Sequence, residues 1–265
     1  MKVDSNRFQT LFLSKAGQAL KAMEPQEDQD LAPPADTVEL TGRVPKLDFA
    51  STVLALAAAA PAGGIPVLAA LSQETAQALI TADQEKLHGE SMRAQFQDVP
   101  KVDDPRVSHF WEEVSTLSES PFPAPQVYQS FFIDASSDVE NMSFGTTMLE
   151  SELHNDAALA FTIAHEEGHR QHRDTQGAKG LEAFAELCSS NDELSSLGIK
   201  VLFEGRKQNE READEFAARV VSQMDIEKDH VLTFLRAFPE DNLHPAGTER
   251  ASLVDKAWVE AASVV

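Results

Sequence analysis

Two histidines separated by about one helical turn are the residues of this sequence best suited to chemistry. His165 and His169 stand in the run His-Glu-Glu-Gly-His, with Glu166 directly after the first of them. On a helix both imidazoles leave the same face, about 6 Å apart along the axis, so both can reach one tetrahedral zinc ion. Glu166 then lies beside the metal, where a general base for a zinc-bound water belongs.

The residues before this motif predict that its helix runs through a core. Ala157–Ala164 is almost wholly apolar, and we expect a helix over residues 155–173. The alternative is an exposed polar helix face, because Glu166, Glu167 and several residues after them are hydrophilic. The apolar stretch argues against that alternative, although charged groups buried on such a helix would need partners.

A catalytic zinc site needs a third protein ligand and an open fourth position. A known extension of the motif places a glycine and a third histidine after the second one, but the chain has His172 and Thr175 at those two positions. A third ligand on the same short helix would strain the tetrahedron. We therefore expect His172 to be a surface residue or to lie behind a ligand.

A better source for the third ligand is the segment Asn209–Asp214, which we expect to begin a later helix. Glu210 and Asp214 share a helix face, so one carboxylate can bind the metal while the other accepts the free N–H of a zinc-bound imidazole. The alternative is a solvated helix start, where acidic residues suit the helix dipole. Glu204 and Glu212 are lesser candidates for the ligand.

Four stretches of the sequence resemble the gluzincin peptidases, most closely the HtpX-like and CAAX prenyl endopeptidase group. Ala157–His169 resembles the metal helix of that group, and Glu210–Asp214 resembles its Glu-x-x-Ala-Asp segment. Leu243–Pro245, followed by Arg250, is similar to its His-Pro pair and downstream arginine, and Glu140–Gly145 is similar to its Asn-Ala-Phe strand. The four-helix membrane arrangement of many members is missing.

The resemblance implies a role for each matched residue. Glu210 would be the third zinc ligand, and Asp214 the carboxylate behind a zinc-bound imidazole. The remaining matched positions would border the substrate or stabilise the developing oxyanion; they are His244, Arg250, Asn141, Ser143 and Gly145. For His244 and Arg250 a helix-cap role is the alternative. Met142 stands where the group usually has alanine.

These expectations together predict a zinc-dependent endopeptidase with one Zn²⁺ per chain and a polypeptide substrate. Glu166 would deprotonate the attacking water, and the peptide would pair with an edge strand near residues 143–145. Two other classes stay open. One is a zinc-binding pseudoprotease that binds polypeptide as a chaperone or adaptor, and the other is a membrane-associated protein with a processing protease domain.

The order of elements predicts an α+β fold, mostly helical, with a zincin-like metallopeptidase domain that combines a small β-sheet with the His-Glu-x-x-His helix. That domain is expected over residues 106–265. Residues 1–105 form an N-terminal helical and linker region, for which we favour a regulatory role. Strands are predicted at residues 127–133 and 143–147, a linker at 24–48, and helices at 5–23, 75–97, from 105, 155–173, 181–189, 209–223, 227–238 and 248–262.

Charge and composition exclude some functions. The chain has 44 Asp and Glu against 22 Lys and Arg, a formal charge of -22, which argues against binding to nucleic acid or to anionic lipid. Its single cysteine, Cys188, cannot form an internal disulfide and is expected to be buried. No secretory signal is visible, so a cytoplasmic location is expected.

Residues 49–73 carry no charge and are long enough to raise the question of a membrane span. The segment Pro61–Pro66 interrupts them, and no belt of aromatic or basic residues flanks both ends. We therefore favour a buried helix-turn-helix over membrane association for this stretch.

Overall fold

Helices make up most of the part of the chain that the structure describes. This computed structural model describes residues 1–23, 48–59, 64–129, 135–138, 140–151 and 155–263. The strands are β1 (Lys101–Val102), β2 (Gln126–Tyr128), β3 (Ala135–Ser137) and β4 (Met142–Gly145). The helices are α1 (Ser5–Met23), α2 (Phe49–Ala59), α3 (Gly64–Leu79), α4 (Ala82–Gln95), α5 (Pro105–Leu117), α6 (Thr146–Leu149), α7 (Asp156–Gln171), α8 (Asp174–Ser189), α9 (Asp192–Val221), α10 (Lys228–Arg236) and α11 (Gly247–Ala262). The predicted α+β class with a helical majority is confirmed at this level.

The small sheet is mixed, and the order of its described strands is β1-β2-β4-β3. β2 and β4 run parallel, with Val127 opposite Phe144, while β1 and β3 run antiparallel to their neighbours. The strand over Met142–Gly145 is therefore an inner strand. The expectation that residues 143–145 form an edge for a peptide is wrong, because β2 and β3 already take the main-chain groups on both sides of this strand.

Most of the helix predictions are confirmed. The helix predicted over 75–97 is instead divided between α3 and α4, because Thr81 caps a new helix that begins at Ala82. The uncharged residues 49–73 fall in α2 and α3, as expected for a helix-turn-helix, with 60–63 outside the described residues. Among the helices that the structure describes, none has the length and apolar character needed to cross a membrane. The strand predicted at 127–133 is present as β2, although 130–134 lie outside the described residues, as does nearly all of the predicted linker at 24–48.

The prediction that a helix begins at Asn209 is wrong. α9 begins at Asp192 and continues for 30 residues, which corresponds to about 45 Å, so Asn209 is buried in its middle. Gly198 and Gly205 obscured the helical pattern in the sequence, because they stand where apolar side chains would mark the buried face. A Cβ at these positions would lie within 3 Å of side-chain atoms of Cys188 and Leu181 on α8.

Two clusters of buried apolar side chains form the interior. The sheet-side core joins α5, the sheet, α7, the end of α9, α10 and α11, and includes Phe144 and Phe161. The N-terminal core joins α1, α2 and α3 to α8 and the start of α9; in it Phe12 and Phe184 pack with ring centroids 5.4 Å apart. α9 belongs to both cores. The domain boundary at residue 105 stays a prediction, although residues from both sides of it share the N-terminal core.

Two oppositely charged residues of α7 are buried together on the helix face away from the two histidines. Glu167 and Arg170 have side chains without solvent exposure and lie 3.4 Å apart. The Arg170 guanidinium lies over the rings of Trp111 and Phe122, at 5.4 Å and 4.5 Å from their centroids, and donates to the carbonyl oxygen of Pro123. Burial lowers the pKa of Arg170 to about 10. These contacts attach α7 to α5 and to the proline-rich segment that follows it.

A glycine sets the distance between α7 and α9. A Cβ at Gly168 would lie 3.1 Å from Cα of Ala213 and 3.3 Å from its carbonyl oxygen, both of which are backbone atoms. Such separations are tighter than ordinary van der Waals contact, so a larger residue would force the two helices apart. Gly168 and Ala213 together therefore allow the helix with the histidines to approach the helix with Glu210.

We expect Gly168→Ala to lower the free energy of unfolding by about 1–3 kcal/mol, because the new methyl group must displace the backbone of α9. Gly177→Ala is the matched control, since a Cβ there meets only the flexible side chain of Gln73, at 3.2 Å. Both changes gain the same helix propensity, so urea unfolding of the two metal-free variants isolates the packing effect. Equal stability of the two variants would contradict this account of the close approach.

Candidate metal centre

Three side chains from α7 and α9 converge at one point. The Nε2 atoms of His165 and His169 are 3.0 Å apart, and each is 3.3 Å from a carboxylate oxygen of Glu210. Ligand atoms of a tetrahedral zinc site lie about 3.3–3.4 Å from one another when each is about 2.0–2.1 Å from the metal. Two imidazoles and a carboxylate are also a typical donor set for zinc. These three residues could therefore hold a metal ion.

Each ligand has its place because of the helix that carries it. α7 is capped by Asn155, whose side chain accepts the N–H of Ala158, and its apolar first half fixes its orientation in the sheet-side core. The two histidines lie one turn apart on the face directed at α9. Glu210 lies in the middle of α9, where the helix passes from one core to the other.

Asp214 lies behind the first histidine, where the sequence predicted it. Its Oδ1 is 2.9 Å from Nδ1 of His165, although the ring N–H does not point along that line. Arg250 donates from Nε and Nη2 to the two oxygens of Asp214, both at 2.7 Å. Burial raises the pKa of Asp214, but the guanidinium of Arg250 and the contact with His165 hold that pKa below its ordinary value. Asp214 is therefore a charged acceptor placed for this imidazole.

Asp174 has the same relation to the second histidine, and the sequence did not indicate it. Its Oδ2 is 2.7 Å from Nδ1 of His169. Asp174 is the first residue of α8, and it faces back toward α7 because Arg173 between the helices is left-handed, with φ 58° and ψ 42°. An arginine rarely adopts this conformation, so the pattern of residue types contains no sign of the turn.

Burial and neighbouring charges oppose each other at the ligands. Burial lowers the pKa of His169, but the carboxylates of Asp174 and Glu210 outweigh it, and the pKa lies well above its ordinary value. Burial also lowers the pKa of His165, and Asp214 and Glu210 raise it further than burial lowers it. The pKa of Glu210 is raised by burial but held far below its usual range by the two imidazoles. A metal ion must therefore displace protons from this cluster.

Glu166 is buried beside the ligands. Only 8% of its surface is exposed, and its charge contributes to the raised pKa values of His169 and Arg250. It follows His165 on α7 and is not among the three converging ligands. This placement leaves its carboxylate available for proton transfer.

The lesser candidates for the ligand lie elsewhere. Glu204 accepts a hydrogen bond from Arg211 at 2.8 Å, and Glu212 is exposed on α9. The ring of His172 packs edge-on against Phe216 at a centroid distance of 5.8 Å. Among the described residues, none of these three side chains belongs to the group that could hold a metal ion.

His244 stands at the rim of the cluster, in the loop between α10 and α11. Its Nε2 is 4.0 Å from Oε2 of Glu210, and its Nδ1 is 3.0 Å from Oδ2 of Asp241. Oδ1 of Asp241 accepts the backbone N–H groups of Leu243 and His244, which fixes the loop. About 40% of the His244 side chain is exposed, so it can meet a molecule from solvent. Arg250, in contrast, is buried and bound to Asp214.

The other candidates for substrate contact lie at the sheet. Asn141 accepts from Arg93 and donates to Asp138 and to the carbonyl oxygen of Gly89. Ser143 lines a small pocket between β4 and α4, and Gly145 is the buried last residue of β4. Within the described parts of the chain, no hydrogen bond or ion pair links these three residues to the metal ligands.

Comparison with known proteins adds no relative. No family model, curated protein or solved structure matches this chain. Its function is therefore inferred from its own side chains.

We expect zinc to raise the Tm more at pH 8 than at pH 6. The raised pKa values mean that His165 and His169 bind protons at pH 6 and must lose them to bind metal, which weakens affinity by up to about 10-fold per pH unit for each proton. In the metal-free protein, the contribution of these histidines to stability changes with pH in the opposite direction. The protonated histidines stabilise the fold fully below their ordinary pKa of 6.5, and this contribution is lost as the pH rises through the raised values.

Thermal unfolding of chelator-treated protein, with and without added zinc, measures this effect at the two pH values. A zinc-induced shift of the same size at pH 6 and pH 8 would show that the two imidazoles are not the groups that exchange protons for metal.

Proposed function

We propose that this protein is a zinc-dependent endopeptidase with a zincin-like catalytic domain, of the kind that the HtpX-like and CAAX prenyl endopeptidases represent. The observation that supports it most is the spacing of His165, His169 and Glu210, which fits one tetrahedral zinc ion while Glu166 lies beside them without being a ligand. A structural zinc site would use a fourth protein ligand, whereas a catalytic one leaves that position open.

Bound zinc supplies a Lewis acid that makes water a stronger nucleophile and polarises a carbonyl group. His165, His169 and Glu210 would hold it, with Asp214 and Asp174 each within 2.9 Å of the second nitrogen of one imidazole. The buried Arg250 keeps Asp214 charged, and its Nη2 also lies 3.8 Å from Oε2 of Glu210.

Glu166 performs the proton transfer in this proposal. Its carboxylate takes a proton from the attacking water and passes it to the nitrogen of the leaving amine, so that the peptide bond breaks without releasing a strong base. The shielding of Glu166 from solvent favours direct transfer between water and substrate.

His244 is placed to act on the substrate carbonyl. Asp241 bonds to Nδ1, which leaves Nε2 directed toward the ligand cluster. When His244 is protonated on both ring nitrogens, its Nε2–H can donate to the carbonyl oxygen and stabilise negative charge as it develops there.

We expect Glu166→Gln to lower the rate of casein cleavage by about 100- to 10,000-fold while zinc remains bound, because the amide cannot accept the proton. Glu212→Gln is the matched control, since it removes the same charge from an exposed position on α9. Cleavage of unfolded casein with and without a chelator, together with zinc analysis of each variant, measures both quantities.

Two results would overturn the assignment. Cleavage by Glu166→Gln at the rate of the Glu212→Gln control would remove Glu166 as the base. A parent protein that binds zinc and casein but does not cut the casein would be a pseudoprotease that holds polypeptide.

We expect His244→Ala to lower kcat by about 100-fold with little change in zinc content, because it removes a donor to the oxyanion and no metal ligand. His230→Ala is the control, since His230 is an exposed histidine on the neighbouring α10. Steady-state kinetics on one peptide substrate separates kcat from KM. A change confined to KM would assign His244 to substrate binding alone.

A further inference from the structure

The corner between α7 and α8 is held by residues from the N-terminal region. Arg173, the left-handed residue of this corner, donates from Nη2 to the carboxylate of Glu85 on α4. Gln176, in the first turn of α8, donates to the same carboxylate. From α3, Gln77 donates to the carbonyl oxygen of His172 at 3.1 Å. Three polar contacts thus converge on a segment of five residues, 172–176.

The carboxylate of Glu85 binds two side chains of this corner at once. Its side chain is only 11% exposed and Gln176 is fully buried, so the bond between them forms away from water. The Arg173 side chain is 41% exposed, so its ion pair with Glu85 is the weaker of the two contacts. Glu85 accepts from the left-handed residue itself and from Gln176 after it, while Gln77 binds His172 before it. The backbone at Arg173 is therefore fixed by partners on either side of its unfavourable turn.

The corner matters because it determines where Asp174 points. Asp174 directly follows Arg173, and its Oδ2 is 2.7 Å from Nδ1 of His169. With an ordinary helical conformation at Arg173, α7 would continue and Asp174 would leave the helix on another face. The contact with His169 therefore depends on the left-handed turn.

α4 contributes little to either core. Gly89 is its one buried residue, Arg93 bonds to Glu140 and Asn141 near the start of β4, and Phe96 at the end of the helix stacks on Tyr128. A helix that contributes so little to either core is not explained by packing alone. Its best-buried polar contact is the one that Glu85 makes with the corner.

We propose that Glu85 is a positioning residue for the metal centre. It holds the α7–α8 corner in the conformation that aims Asp174 at His169, so residues outside the predicted catalytic domain determine how well His169 binds the metal. This inference rests on the proposed metal site. It gives the N-terminal region a role in shaping the site, and the regulatory role expected from the sequence stays a prediction.

Zinc affinity, measured by competition with a chromophoric chelator, tests the proposal without any use of activity. We expect Asp174→Asn to raise the Kd for zinc by about 10- to 100-fold, and Glu85→Gln to raise it by about 3- to 10-fold because it acts through Asp174. Glu74→Gln is the matched control: it removes an N-terminal ion pair, with Lys15, that does not touch the corner. We expect its Kd to equal that of the wild type.

The double variant distinguishes positioning from general stability. If Glu85 acts through Asp174, then Glu85→Gln combined with Asp174→Asn binds zinc no more weakly than Asp174→Asn alone. Fully additive effects would overturn the proposal. So would a Glu85→Gln variant that binds zinc as the Glu74→Gln control does, while the proposed function would stand. A wild-type protein that binds no zinc would overturn both.

A second pair of variants tests the turn itself and remains informative if Glu85→Gln folds poorly. Arg173→Ala removes the ion pair and keeps a residue that resists the left-handed conformation, whereas Arg173→Gly removes the ion pair and adopts that conformation readily. We expect Arg173→Ala to weaken zinc binding about as much as Glu85→Gln, and Arg173→Gly to weaken it less. If both variants bind zinc as tightly as the wild type does, the proposal is overturned.

Discussion

The close contact between α7 and α9 is the constraint on which the rest of the structure depends. Two helices that present large side chains to each other lie too far apart for imidazoles on one and a carboxylate on the other to reach a common ion. Here Gly168 and Ala213 meet almost backbone to backbone, within a turn of both His169 and Glu210. The cores on either side then serve to keep this contact rigid, and α9 passes through both of them.

The two imidazoles are held in place by carboxylates, and these carboxylates are positioned in turn by arginines. Each imidazole contacts a carboxylate, and each carboxylate depends on an arginine, though in different ways: Arg250 binds Asp214 directly, and Arg173 sets the backbone from which Asp174 extends. Buried charges of this kind are costly unless every member is paired. The arrangement therefore gains orientation at the expense of stability, as is common at functional sites.

Sequence reasoning located the residues whose positions follow from regular helix geometry. The one-turn spacing of His165 and His169, and the spacing of Glu210 and Asp214, are read directly from the helical period, and the structure brings all four together. Asp174 could not be found in this way, because its direction depends on one backbone conformation at Arg173. The inner position of β4 in the sheet could not be predicted either. Strands of two to four residues are too short for their sequence pattern to indicate which strands they pair with.

The location of Arg250 determines when the centre can form during synthesis. Asp214 leaves the ribosome with Glu210, but the guanidinium that balances its charge belongs to α11, 36 residues further along the chain. Until that helix emerges and docks, burying Asp214 would leave only His165 to balance its charge, which is unfavourable. The nascent chain therefore contains both histidines and Glu210 before the arginine that stabilises a buried Asp214 has been added. The order of residues along the polypeptide itself delays assembly of the centre.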